Sequence, residues 1–322
     1  MGGWGRPGGA SGPASRGADA QLVAVAHGSR DPRAAATVHS LLGVVAERAR
    51  AAGGAGVDVR AAFLDHCAPS LPQVLGSLDD GRARSCVVVP LLLTAAYHSK
   101  SDIPAQLAAA VGAAGAAAGA GGPAGRVAVR CAATLGPHPL LLAALERRLR
   151  EAGVGVDSAA ERARTAVVLA AAGSSDPAAN ATIADLAARW RRDRGWRAVV
   201  PAYASAAGPS PGAAVAALRA DCGGDPRRPV VVATYLLAPG YFADKIRAAS
   251  VEAGASAVSD VLGAAPEVAD VVLARYREAQ CERLPADTGY AERAVVTTRL
   301  VTCSIRGNPR GTDLPARAPR RA

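Results

Sequence analysis

Aromatic residues make up only 3% of this 322-residue chain, methionine occurs once and lysine is scarce, although 50% of the residues are hydrophobic. A core of ordinary size must therefore be built from alanine, valine and leucine, and the length suffices for two domains. The abundance of Ala, Gly, Arg and Pro looks like coding bias and carries no functional reading. None of the six cysteines (Cys67, Cys86, Cys131, Cys222, Cys281, Cys303) belongs to a CxxC pair, which argues against a structural zinc site. Cys86 and Cys131, in or beside apolar runs, read as packing residues. The head has arginine but no apolar h-region, so no secretory signal is expected. The longest apolar run, 86–96, is too short to span a bilayer and suits a buried strand. A soluble, cytoplasmic protein is the expectation, with no membrane partner.

The net charge of +10 is partly terminal. Residues 303–322 hold five Arg and one Asp, and residues 1–20 hold two Arg and one Asp. With no interleaved aromatics, zinc finger or RNA-binding signature, nucleic acid is not the expected partner. The tail reads as a solvated, disordered basic segment over 303–322, and the Gly/Pro/Ser-rich head over 1–20 as disordered.

Between these ends, strand-like and helix-like segments alternate. Strands are predicted over 21–26, 57–64, 85–94 and 126–132, and helices over 34–52, 69–78, 102–118 and 139–152. Such alternation, with nearly all-apolar strands, predicts an open, mostly parallel α/β sheet flanked by helices. The pattern then recurs. Gly173-Ser174-Ser175-Asp176-Pro177 follows the apolar run 166–171 as Gly28-Ser29-Arg30-Asp31-Pro32 follows the run 21–26. Residues 196–203 match 57–63, Pro209-Ser210 matches Pro69-Ser70, and 229–237 match 85–93. Tyr241 falls where Tyr97 does, and Leu262-Gly263 with Pro266 echoes Leu135-Gly136 with Pro139. The chain is a tandem duplication joined near 152–164: an N-terminal catalytic domain over 21–152 and a degenerate repeat over 165–280. The expected architecture is two pseudo-symmetric α/β domains with a cleft at the carboxyl ends of their strands.

The repeat separates chemistry from scaffold. His27 corresponds to Ala172, His98 to Phe242, Asp65 to Ser205 and His138 to Ala265, whereas the glycines, prolines and capping residues persist. His27 ends a strand and enters a glycine loop, and His98 follows the longest buried strand. Neutral imidazole is a common ligand of iron, cobalt, nickel and zinc, and two histidines on neighbouring strand ends leave positions open on an ion. Asp65 and His66 are candidate general bases. Ser29 and Asp31 read as caps of the following helix, Asp102 as the cap of the helix entered at Pro104, and His138 as shaping a turn between Pro137 and Pro139. His39 reads as a surface or packing residue. Ser29, Arg30 and Lys100 are candidates to meet substrate carboxylates.

The strings His27-Gly28-Ser29-Arg30-Asp31-Pro32, Pro69-Ser70-Leu71, and Val-Val-Pro-Leu-Leu-Leu running to His98 and Asp102-Ile103-Pro104 resemble the sirohydrochlorin chelatase family of class II chelatases. The resemblance covers 22–149 strongly and 165–272 as a degenerate copy. It implies His27 and His98 as metal ligands, and insertion of Fe2+ or Co2+, a substrate and not a resident cofactor, into sirohydrochlorin for sirohaem or cobalamin. No ATP or organic cofactor is implied. Two departures stand out. Relatives often have Gly before the second histidine, where this chain has Ala96-Tyr97, and relatives commonly carry Glu where it has Asp65. Asp reaches one methylene less far, and His66 is the residue placed to substitute. Rival readings are metal-assisted hydrolysis in the same cleft, for which only Asp65 qualifies as the water-activating carboxylate, a carrier of metal or tetrapyrrole without turnover, and a nucleic-acid binder resting on the Arg-rich tail alone. Two fused halves fit a monomer that mimics a dimer, and a homodimer stays open.

Overall fold

A computed structural model describes residues 21–53, 57–78, 85–94, 105 and 128–281. The head, the Arg-rich tail, the helix predicted over 102–118 apart from residue 105, and His98, Lys100 and Asp102 lie outside the described residues.

Two four-stranded sheets carry the fold, and every pairing in them is parallel. The first contains β1 (Gln21–Ala26), β2 (Val59–Phe63), β3 (Ser85–Pro90) and β4 (Ala128–Cys131) in the order β2-β1-β3-β4. The second contains β5 (Ala166–Ala171), β6 (Ala198–Tyr203), β7 (Val230–Tyr235) and β8 (Ala257–Val258) in the corresponding order β6-β5-β7-β8. The parallel α/β class and the tandem repeat read from the sequence are thus borne out. Predicted strand ends run long: β3 stops at Pro90 where 85–94 was expected, because its neighbour β1 has ended and offers no further ladder.

The helices are α1 (Pro32–Ala51), α2 (Leu71–Gly76), α3 (Pro139–Glu151), α4 (Ala159–Arg164), α5 (Pro177–Arg194), α6 (Pro211–Asp221), α7 (Tyr241–Glu252) and α8 (Pro266–Cys281). Their starts follow from local chemistry. Asp31 and Asp176 each cap a helix with Pro in its first turn, accepting from the N–H groups of Arg33 and Ala178. Ser70 and Ser210 cap α2 and α6 in the same way. Asp31, predicted as a cap, is one; Ser29, predicted beside it, is not, because its hydroxyl accepts from the Asp31 N–H inside the loop and from no N–H of the helix. None of the described helices is long and apolar enough to cross a membrane.

The two sheets share one core. Along β1, Leu22, Ala24 and Ala26 face the shared core while Val23 and Val25 face a separate cluster with α2. Along β5, Val167, Leu169 and Ala171 face the shared core while Ala166, Val168 and Ala170 face α6. This is the period of two expected of a strand buried on both faces. Helices α1, α3, α5 and α8 fill the space between the sheets. The terminal helix of each half crosses over: α3 packs on β7 of the second sheet, and α8 packs on β3 and β4 of the first. Polar pairs follow this exchange. Glu146 of α3, 8% exposed, accepts from Trp190 Nε1 at 3.0 Å and from Arg194 Nε and Nη2 of α5 at 2.7 and 2.8 Å. Arg147 of α3 pairs with Glu267 of α8 at 2.6 Å. A buried carboxylate held by three N–H donors meets its desolvation cost where it lies.

Candidate functional site

At the centre of the first sheet the chain leaves β1 toward one side and β3 toward the other. A parallel sheet opens a crevice at such a switch point, beyond the carboxyl ends of the strands. His27 is the first residue beyond β1, is exposed, and lines a cleft of 610 Å³ between the halves. The β1–β2 ladder continues past both strands and fixes its backbone. The Leu64 N–H donates to the Ala26 carbonyl at 3.0 Å, and the Asp65 N–H donates to the His27 carbonyl at 2.9 Å. Gly28 has φ +91°, and a Cβ there would lie 1.8 Å from the Asp65 carbonyl oxygen. Only glycine allows the two loops to close in this way.

Asp65 and His66 come next to His27 through that ladder. His66 has φ +60° and sits at the centre of a γ-turn in which the Cys67 N–H donates to the Asp65 carbonyl at 2.7 Å. The Asp65 carboxylate accepts from the His66 N–H at 2.7 Å, and its other oxygen lies 3.4 Å from His66 Nε2. The two candidate proton carriers are thus neighbours of each other, exposed, and outside the lining of the cleft itself. The second half repeats the turn with Ala206 at φ +60° and no carboxylate.

Ser29 faces inward in its loop: its Oγ accepts from the Asp31 N–H at 3.1 Å, and its carbonyl accepts from the Cys67 thiol at 3.1 Å. Arg30 is exposed beside it. Sequence reading missed Arg33. Its guanidinium grips Asp31 and reaches across to Asp244 of α7 at 2.6 Å. That grip holds the Asp31 carboxyl below the usual carboxylate range. It also missed a lock in the degenerate half, where the Asn180 side chain donates to the Ser174 carbonyl at 2.7 Å and accepts from the Ser174 N–H at 3.0 Å. The first-half counterpart is Ala35, which has no such side chain.

The far wall of the cleft comes from the second half, through Ser174, Ser175, Asn180, Ala206 and Tyr235. Tyr235 donates to the Leu93 carbonyl at 3.3 Å, joining the strand-end loops of the two halves. Burial pushes its phenol pKa up, so it stays neutral. Cys86 is buried in the core, as expected of a packing residue, and burial pushes its thiol up to about 12. Burial pushes the Cys131 thiol up as well, to about 11, although the residue, expected to pack, is exposed on the edge strand β4. His39 is exposed on α1, its ring edge-on to Phe63 with centroids 6.1 Å apart. Among the described residues no group of three or more His, Cys, Asp or Glu is gathered for a metal. His27 is the described member of the expected pair, and His98 and Lys100 lie outside the described residues.

His138 caps α3, its Nδ1 accepting from the Leu140 N–H at 3.2 Å. Burial, and then the charge of Arg275, lower its pKa below the ordinary 6.5, with Glu278 opposing. The folded chain therefore binds this proton less readily than the unfolded chain. The stability contributed is complete above about pH 6.5 and is lost as pH falls toward the folded value. Protonation also removes the lone pair that caps the helix. Thermal unfolding across pH 7.5 to 5 is expected to show a steeper fall in Tm for the parent than for His138→Asn, which keeps a cap but cannot titrate. Equal slopes would overturn this.

A family model described as CbiX matches residues 21–152 and 166–279. The sirohydrochlorin cobaltochelatase of Priestia megaterium is 28% identical over 162 residues, 50% of this chain and 47% of that protein. The chain thus spans about half the length of the curated relative it matches. SirB from Bacillus subtilis with Fe3+ is similar in structure, with a TM-score of 0.65 at 23% identity over 81% of this chain and 95% of that one. The sirohydrochlorin chelatase SirB from Bacillus subtilis subspecies spizizenii in complex with cobalt gives 0.59 at 21% identity over the same shares. At this identity the two structures establish a common fold.

Proposed function

This chain belongs to the CbiX family, and on that footing we propose that it inserts a divalent metal ion, Fe2+ or Co2+, into a sirohydrochlorin-type tetrapyrrole, without nucleotide or organic cofactor, for sirohaem or cobalamin synthesis in the cytoplasm. The observation that carries the reading is His27. It stands at the end of the central strand, on a backbone clamped by the β2 loop, facing a cleft whose opposite wall belongs to a half that has lost the histidine.

In this reading His27 and His98 hold the ion through neutral imidazoles and leave coordination positions for the incoming macrocycle. Insertion exchanges two pyrrole N–H protons for one divalent ion. Bending of the ring turns the nitrogen lone pairs toward the metal, and the protons leave to Asp65 or His66, which lie next to each other. Ser29, Arg30 and Lys100 meet the acidic side chains of the substrate.

The test is anaerobic absorbance spectroscopy of sirohydrochlorin with the purified chain and either Co2+ or Fe2+, beside a protein-free control. Conversion faster than the control is the expected result, and the ratio of the two rates identifies the preferred metal. No acceleration with either ion, from folded protein, overturns the enzyme reading and leaves a carrier.

A further inference from the structure

Aromatic side chains are scarce here, and their placement is correspondingly informative. Phe63, Trp190, Trp196, Tyr203, Tyr235 and Tyr276 are all buried. Tyr241 and Phe242 are not. They are 74% and 39% exposed, adjacent in sequence, and packed edge-to-face with ring centroids 5.5 Å apart. Leaving two large apolar rings in water, in a chain that buries its other described aromatics, is unfavourable unless something covers them.

Their position says what. They open α7, and the residue before them is Gly240, with φ +147° and no side-chain cap on the helix. A Cβ on Gly240 would lie 3.8 Å from Asp31 Cβ and 3.9 Å from Ser29 Oγ. The start of α7 therefore lies against the loop that follows His27. The Arg33–Asp244 ion pair at 2.6 Å fastens the same turn of α7 to the first turn of α1, which that loop leads into. The segment leading into α7, Leu236 and Leu237, lines the cleft. The helix turn that carries the exposed rings thus begins beside the candidate site, on its second-half side and just beyond the lining of the cleft. In the repeat, moreover, Tyr241-Phe242 stands where Tyr97-His98 stands in the first half. One half keeps an imidazole at this position, and the other carries a phenyl ring.

We propose that Tyr241 and Phe242 form an aromatic shelf for the conjugated face of the tetrapyrrole, one ring stacking on that face and the other, inclined to it, meeting it edge-on, so that the opposite face of the macrocycle is presented to the histidine-bearing half. This rests on the chelatase reading above and adds a ring-binding residue pair to it. The chemistry suits a planar, conjugated macrocycle: apolar π faces at the rim, edge-to-face packing already pre-formed, and a low entropy cost because each ring has only two side-chain torsions. It gives the two halves distinct duties, metal on one side and ring on the other.

The experiment measures binding of metal-free sirohydrochlorin by absorbance titration, and binding of Co2+ alone by calorimetry, for the parent, Tyr241→Ser/Phe242→Ser and Phe242→Tyr. The double serine variant is expected to bind the tetrapyrrole about tenfold or more weakly, since each aromatic contact contributes beyond its buried area. Its Co2+ affinity and Tm stay at the parent values. Phe242→Tyr keeps parental tetrapyrrole affinity. In a Tyr241→Trp chain, bound tetrapyrrole quenches indole fluorescence beyond the quenching seen in the parent, a signature that a merely structural role does not produce. Parental affinity in the double serine variant, with the parent binding well, overturns the shelf and leaves the chelatase reading intact. A parent that binds no sirohydrochlorin overturns both.

Discussion

A His27→Ala chain is expected to lose metal insertion by at least about a hundredfold while remaining folded. Residues that only support a metal ligand typically cost 10- to 100-fold when removed, and His27 is placed to touch the ion itself. The side chain is exposed beyond the end of β1, so its truncation opens no cavity and Tm should move little. Co2+ binding followed by calorimetry and sirohydrochlorin metallation followed by absorbance should fail together, whereas binding of the metal-free tetrapyrrole should persist. Full metallation by His27→Ala would remove His27 from the mechanism, whatever the fold.

The second large effect is on the backbone that carries that histidine. Gly28→Ala is expected to destabilise the chain by about 2–5 kcal/mol, as the sum of placing a Cβ in a left-handed conformation at about 1–2 kcal/mol and overpacking at about 1–3 kcal/mol. The clash is with backbone, since the new Cβ would sit 1.8 Å from the Asp65 carbonyl oxygen. Relief requires separating the loops after β1 and β2, which breaks the Asp65 N–H to His27 carbonyl bond and displaces the imidazole, so activity falls as well. Gly53→Ala is the control. It has φ +75° with nothing within 4 Å of the added Cβ, and should show the conformational cost alone. Urea midpoints of the two variants measure the difference. Equal midpoints would show that the close approach at Gly28 contributes nothing.

Much of this architecture is legible along the chain because its signals are local. Runs such as 21–26 and 166–171 are apolar throughout, as strands buried on both faces must be. Asp31, Ser70, Asp176 and Ser210 announce helix starts because a short polar side chain satisfies N–H groups one turn away. The repeat made it possible to separate retained scaffold from lost chemistry, and His27 against Ala172 is the clearest instance. Strand ends were less legible. Leu91 to Thr94 are as apolar as a strand, yet they leave the sheet to line the cleft, because a strand continues only as far as its neighbour does.

The sequence by itself thus determined the class of fold, the duplication, the caps and which half retains histidine, all of them properties carried by neighbours within a turn or by the internal copy. Tertiary structure alone decided that α3 and α8 exchange sheets, that Glu146 answers Trp190 and Arg194, that Arg33 fastens α7 to the first turn of α1, and that Tyr241 and Phe242 stay in solvent. These pairings join residues 44 to 211 positions apart. No periodicity encodes such a separation. It is selected only when both sheets are packed and each polar or aromatic group must find a partner, water or a ligand.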